Sequence, residues 1–230
     1  MDALRNKMKI LFIGNSATYV HDIPETLARL ATQAGHPLEA KRIVKGGWRL
    51  CQHAQAGSRA LEEIEKGYDI VFLQDNGDCI SSEERREACL RACTGLTRSA
   101  QNRGAKVYYY VRPPYGYEAF GRSPLEQCQA FDLLFGGMAR ETGAVCAYVN
   151  RAFAYAIKNT DICLWGDDNA HTSEEGAYLA VCVFFAVLFG RSSSALGSDC
   201  LPKEESKRLQ DIADRVVLDG ELPWDRIAHN

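Results

Sequence analysis

Short apolar runs rich in Ile, Val, Phe and Tyr alternate along the chain with longer stretches whose apolar residues recur at helical spacing. The runs Lys9–Ile13, Leu38–Val44, Asp69–Leu73, Lys106–Val111 and Val145–Tyr148 predict five strands. The amphipathic stretches between them predict helices with recognisable ends. Asp22, with Glu25 three residues on and Pro24 in the first turn, opens a helix that Gly35 stops. Ser82, followed by acidic Glu83 and Glu84, opens a second that ends before Gly104. Ser123-Pro124 starts a third, which stops near Gly143. Thr172-Ser173-Glu174-Glu175 reads as a capping box ahead of a strongly apolar helix ending at Gly190, and a last amphipathic helix follows Pro202.

Strands that alternate with helices build βαβ units and a mainly parallel sheet. The expected architecture is therefore an α/β three-layer sandwich, flavodoxin-like, with five strands in the order 2-1-3-4-5. No repeat, low-complexity tract or linker interrupts the pattern, so residues 1–230 are expected to form a single domain, an ordinary size for one core.

Composition narrows the partners more than the fold. A formal net charge of −3 lacks the basic excess that nucleic acid or an anionic membrane surface requires, so neither is expected as a partner. The most apolar segment, Ala177 to Phe189, is shorter than the roughly 20 residues that span a bilayer. The N-terminal MDALRNKMKILFIG runs straight into a Gly-Asn-Ser turn with no small-residue cleavage site and reads as the first strand, so the expected location is the cytoplasm. The nine cysteines show no CxxC pairing or Cys/His ligand spacing and read as reduced thiols, with no metal site expected.

Chemistry enters at the carboxyl ends of the strands, where open α/β sheets place their ligand crevice. Gly14-Asn15-Ser16 follows the first strand and directs the Ser16 hydroxyl toward that crevice. Asp168 and His171 sit three apart in a loop leading into a helix, a spacing that lets the carboxylate hold the imidazole while its other nitrogen takes a serine proton; Asp167 is a weaker alternative by spacing. Gly46-Gly47 follows the second strand and offers a backbone N–H unobstructed by a side chain. Asn76, in VFLQDNGD after the third, offers a side-chain amide. A hydroxyl nucleophile attacking an ester needs such donors for the developing oxyanion. Singly, each of these segments is also an ordinary cap or turn.

In this order the segments resemble the four blocks of the SGNH/GDSL hydrolase family, over residues 9 to 190. The resemblance implies a serine esterase with Ser16 as nucleophile, Asp168 and His171 as base dyad, and an oxyanion hole made by Ser16, Gly47 and Asn76. The first block reads Gly14-Asn15-Ser16 where Gly-Asp-Ser gives the family its name. The third reads Gln74-Asp75-Asn76 where Gly-x-Asn is usual, leaving Gln74 as an alternative amide. Thr172 stands where many members have Pro. Candidates for substrate contact are Asn15, Trp48, His53 and Tyr115, and Tyr19 and the Arg112-Pro113-Pro114-Tyr115 segment after the fourth strand are further candidates to line the pocket. The implied partner is a small-molecule ester, such as an O-acyl group on a carbohydrate, and no cofactor is required. Acyl transfer to a sugar or peptide, thioester cleavage, and a non-catalytic binding module on the same fold are the alternatives. Absence of GxSxG, GxGxxG, P-loop and HExxH motifs removes lipase-type α/β-hydrolase, dinucleotide, NTPase and zincin readings.

Overall fold

Five strands, β1 (Met8–Gly14), β2 (Leu38–Val44), β3 (Ile70–Leu73), β4 (Lys106–Val111) and β5 (Val145–Tyr148), pair in parallel in the order β2-β1-β3-β4-β5. The computed structural model describes residues 7–198 and 200–224; residues 1–6, 199 and 225–230 of the expected 1–230 domain lie outside the described residues. Helices α1 (Ser16–Tyr19), α2 (Ile23–Gln33), α3 (Leu50–His53), α4 (Arg59–Ile64) and α5 (Glu83–Gln101) precede β4. They are followed by α6 (Pro124–Thr142), α7 (Val149–Asn159), α8 (Glu174–Phe189) and α9 (Lys203–Val217). This is the expected three-layer α/β sandwich.

Strand side chains alternate between two cores, as the pleat requires. Ile10, Phe12, Ile70, Phe72, Tyr108 and Tyr110 face α2, α7, α8 and α9, whereas Leu11, Ile13, Val71, Leu73, Tyr109 and Val111 face α3 to α6. With both faces covered, the central strands read as continuous apolar runs. Phe184 of α8 packs against Phe12, Phe72 and Tyr110, its ring centre 4.8–5.9 Å from theirs, and so ties one helix to three strands. Among the described residues no helix is long and apolar enough to cross a membrane.

The helix ends test local sequence chemistry. Ser82 accepts from Arg85 N, and Ser123 with Glu126 forms a full capping box that precedes α6 and its C-cap Gly143 at φ 71°. Two expected caps differ. Asp22 does precede α2, but it stands in the left-handed region at φ 46°, with no cap hydrogen bond, because its carboxylate pairs with Arg42. Before α8 the cap is Ser173, which accepts from Gly176 N, rather than a reciprocal box from Thr172 to Glu175. The sequence pattern also passes over α1, α3, α4 and α7. Three of these have six residues or fewer, and α7 leaves β5 directly, with Tyr148 at its N-cap and no side-chain cap to announce it.

Candidate active site

The turn after β1 is built around two side chains. Asn15 accepts from Ala17 N at 3.1 Å, which caps α1 and sets Ser16 as its first residue. The Asn15 Nδ2 donates to Trp48 O at 2.8 Å, so the same side chain fastens the loop after β2. Directly after β3, Gln74 Oε1 accepts from Asn15 N at 3.0 Å and from Thr18 Oγ1 at 2.9 Å, while its Nε2 donates to Asp75 O. Gly14 leaves room for this joint: a Cβ there would lie 2.6 Å from Gln74 Oε1 and 2.7 Å from Thr18 Oγ1.

Ser16 is half-buried, and its Oγ lies 2.8 Å from His171 Nε2. The other ring nitrogen, His171 Nδ1, lies 2.6 Å from Asp168 Oδ2. Asp168 Oδ1 accepts from the backbone N–H groups of His171 and Ala170, both at 2.9 Å. Its carboxyl is held far below the ordinary carboxylate range by the His171 N–H, then the imidazole and the Ala170 N–H. An acceptor at Nδ1 fixes the proton there and leaves Nε2 with a lone pair toward the serine. Asp167, exposed, makes no part of this relay.

The loop bearing His171 is anchored on both sides. Gly166 N donates to His171 O, Ser173 N to Leu164 O and Gly116 N to Asn169 O, at 2.7–3.0 Å. His21 Nε2 bonds Thr172 O at 2.9 Å, joining the segment after α1 to the residue after His171. This link escapes sequence reading, because it runs through a backbone carbonyl and depends on His21 adopting φ 55°.

Gly47 takes φ 72°, and its carbonyl accepts from Asn76 Nδ2 at 3.1 Å, which brings together the loops after β2 and β3. The Ser16 and Gly47 N–H groups have no acceptor among the described residues. Gln74 is buried with its amide engaged at both ends, whereas Asn76 is half-buried and keeps one amide hydrogen beyond its bond to Gly47. Between them, Asp75 is buried and accepts from Leu50 N at 2.7 Å and Asn76 N at 2.8 Å; burial pushes its pKa up. Its role as a clamp on the Asn76 loop is invisible in sequence.

The remaining candidates divide. Asn15 is buried and structural, as described. Trp48 is half-buried under the Lys45 ammonium, 4.5 Å from its ring centre. His53, a candidate for substrate contact, is instead 2 % exposed on α3 and bonds Gly14 O at 2.9 Å, bracing the strand end; burial lowers its pKa. Tyr115 is half-buried and stacks on Tyr117 and over Arg112. The Tyr19 hydroxyl lies near Gly46. Among the described residues no group of three or more His, Cys, Asp or Glu side chains is placed to hold a metal ion.

At the level of sequence, no family model and no curated protein matches the chain. Solved structures do. A protein of Slackia heliotrinireducens assigned to the SGNH hydrolases is 26% identical, with TM-score 0.68 over 78% of this chain and 97% of that one. A DUF4886 family protein from Bacteroides uniformis is 15% identical, with TM-score 0.75 over 93% and 95%. An acetyl-xylooligosaccharide esterase from Geobacillus is 14% identical, with TM-score 0.59 over 83% and 97%. The chain thus has the SGNH-hydrolase fold, and its structural neighbours include hydrolases and esterases.

Proposed function

We propose that this chain is a serine esterase that cleaves a carboxylic ester by two acyl transfers through Ser16. The relay Ser16 Oγ, His171 Nε2, His171 Nδ1, Asp168 Oδ2, with links of 2.8 and 2.6 Å, is the observation that carries the reading. In the first step His171 takes the hydroxyl proton as Ser16 Oγ attacks the carbonyl carbon, and Asp168 stabilises the imidazolium that forms. The N–H groups of Ser16 and Gly47 and the Asn76 amide hold the oxyanion. The imidazolium then protonates the departing alcohol. Water, deprotonated by the same imidazole, attacks the acyl-serine and releases the acid.

As substrate class we take a small O-acyl group on a carbohydrate. The likeness to the acetyl-xylooligosaccharide esterase supports this choice, as does the exposed Gly46-Gly47 loop, which leaves the rim of the site open.

The test is hydrolysis of 4-nitrophenyl esters from acetate to octanoate by the wild type and Ser16→Ala, with circular dichroism on both. Turnover that favours the short acyl chains and vanishes in the mutant is expected. Turnover that survives the mutation contradicts the assignment of the nucleophile.

A further inference from the structure

Arg112 follows the last residue of β4, at the carboxyl end of the sheet where the candidate site lies. It is only 5 % exposed. Its Nε donates to Pro113 O at 2.9 Å, and its guanidinium carbon sits 4.3 Å from the centre of the Tyr115 ring. The terminal Nη1 passes beneath Gly77, the residue after Asn76. A Cβ at Gly77 would collide with Nη1 and come within 2.8 Å of Tyr115 Cε2, so glycine is what lets the guanidinium reach this loop.

Arg112 differs from the other arginines tucked into the protein. Arg49 pairs with Asp78 and Arg151 with Asp132, while Arg122, which has no carboxylate partner either, gives its Nη1 to Ile80 O and Phe120 O. Among the described residues no carboxylate lies within ion-pair distance of Arg112, and neither Nη atom has a hydrogen-bond acceptor. The one fully enclosed, unpartnered side-chain polar atom among those residues is Asn150 Oδ1, so the Arg112 Nη atoms still touch solvent. A cation withdrawn this far from water is costly unless an anion compensates it. A planar guanidinium over an aromatic face, with no acceptor on its terminal nitrogens, is suited to receive a carboxylate through paired N–H···O bonds.

We propose that Arg112 is a specificity residue whose guanidinium binds a carboxylate carried by the ester substrate, beside the loop that holds Asn76. The inference rests on the esterase reading and narrows it to anionic esters. Neutral esters meet the same nucleophile without this contact.

Two matched pairs of esters test it. One places the charge on the acyl part (4-nitrophenyl hemiglutarate against 4-nitrophenyl valerate), and the other on the phenol (3-carboxy-4-nitrophenyl acetate against 4-nitrophenyl acetate). The wild type is expected to favour the charged member of at least one pair by tenfold or more in kcat/KM. Arg112→Gln should lower that ratio at least tenfold, with Arg112→Lys in between. In the wild type, glutarate should inhibit valerate cleavage competitively. Ratios near unity in both pairs, or a ratio unchanged by Arg112→Gln, overturn the inference while leaving the esterase intact. Cleavage of none of the four esters instead marks failure of the esterase reading, and the inference falls with it. If circular dichroism shows Arg112→Gln unfolded, the decision passes to Arg112→Lys and to glutarate; an unaltered ratio with no inhibition overturns the proposal.

Discussion

Asn15 shows how much one side chain can organise. Its Oδ1 caps α1, its Nδ2 holds the Trp48 carbonyl, and its own N–H is held by Gln74. Asn15→Asp, which recreates a Gly-Asp-Ser block, keeps the cap but sets a carboxylate oxygen against Trp48 O. The expected cost is about 1–3 kcal/mol of stability, measured by urea unfolding, because a donor becomes an acceptor facing an acceptor. Asn76 presents the complementary case. Its amide serves Gly47 O in the ground state, and in the proposed mechanism it serves the oxyanion. Asn76→Ala should therefore lose about 2.7–4 kcal/mol of transition-state stabilisation, read in kcat, with KM much less affected. An effect confined to KM contradicts that role.

At the scale of elements, side-chain chemistry decides which helix ends can be read in advance. Ser82, Ser123-Pro124 and Gly143 work as their types predict, because each finds its partner within four residues along the chain. Asp22 does not, because Arg42 on β2, 20 residues away, claims its carboxylate. Short α1 and α3 carry too few residues for periodicity, and α7 starts without a polar cap.

Glu63 on α4 shows the same dependence on distant partners. It is buried, and it receives the Tyr68 hydroxyl at 2.5 Å, Lys41 of the edge strand β2 at 2.9 Å and Lys66 at 3.0 Å. Burial alone would raise its pKa, but these donors bring it down to about 2. A carboxyl whose folded pKa lies below its unfolded value of about 4.3 adds stability above that value and loses it as pH falls toward 2. Glu63→Gln should therefore flatten the stability curve between about pH 4.3 and 2, as followed by denaturant midpoints. An unchanged slope contradicts the assignment.

Over the whole molecule, the fold brings together residues separated by most of the chain: Ser16 and His171 are 155 positions apart and 2.8 Å distant. The alternation of strand and helix was enough to read the layers, because each parallel crossover buries a continuous apolar run, and the strand order followed from the flavodoxin-like arrangement such alternation commonly builds. The segments carrying Ser16, Gly47, Asn76 and the Asp168–His171 pair were also readable, since each follows a strand or precedes a capped helix. What holds them could not be read from local pattern. The His53 brace on Gly14, the Asp75 clamp on Asn76, the His21 tie to Thr172 and the burial of Arg112 all depend on side chains meeting across loops.

The central claim, that Ser16 becomes covalently acylated with His171 as its base, is tested most directly by intact-mass and peptide mapping after treatment with a fluorophosphonate. The wild type should gain one adduct, mapped to Ser16, with none in Ser16→Ala and labelling slowed at least a hundredfold in His171→Ala. An adduct on another residue, or no adduct on folded wild type, contradicts the account.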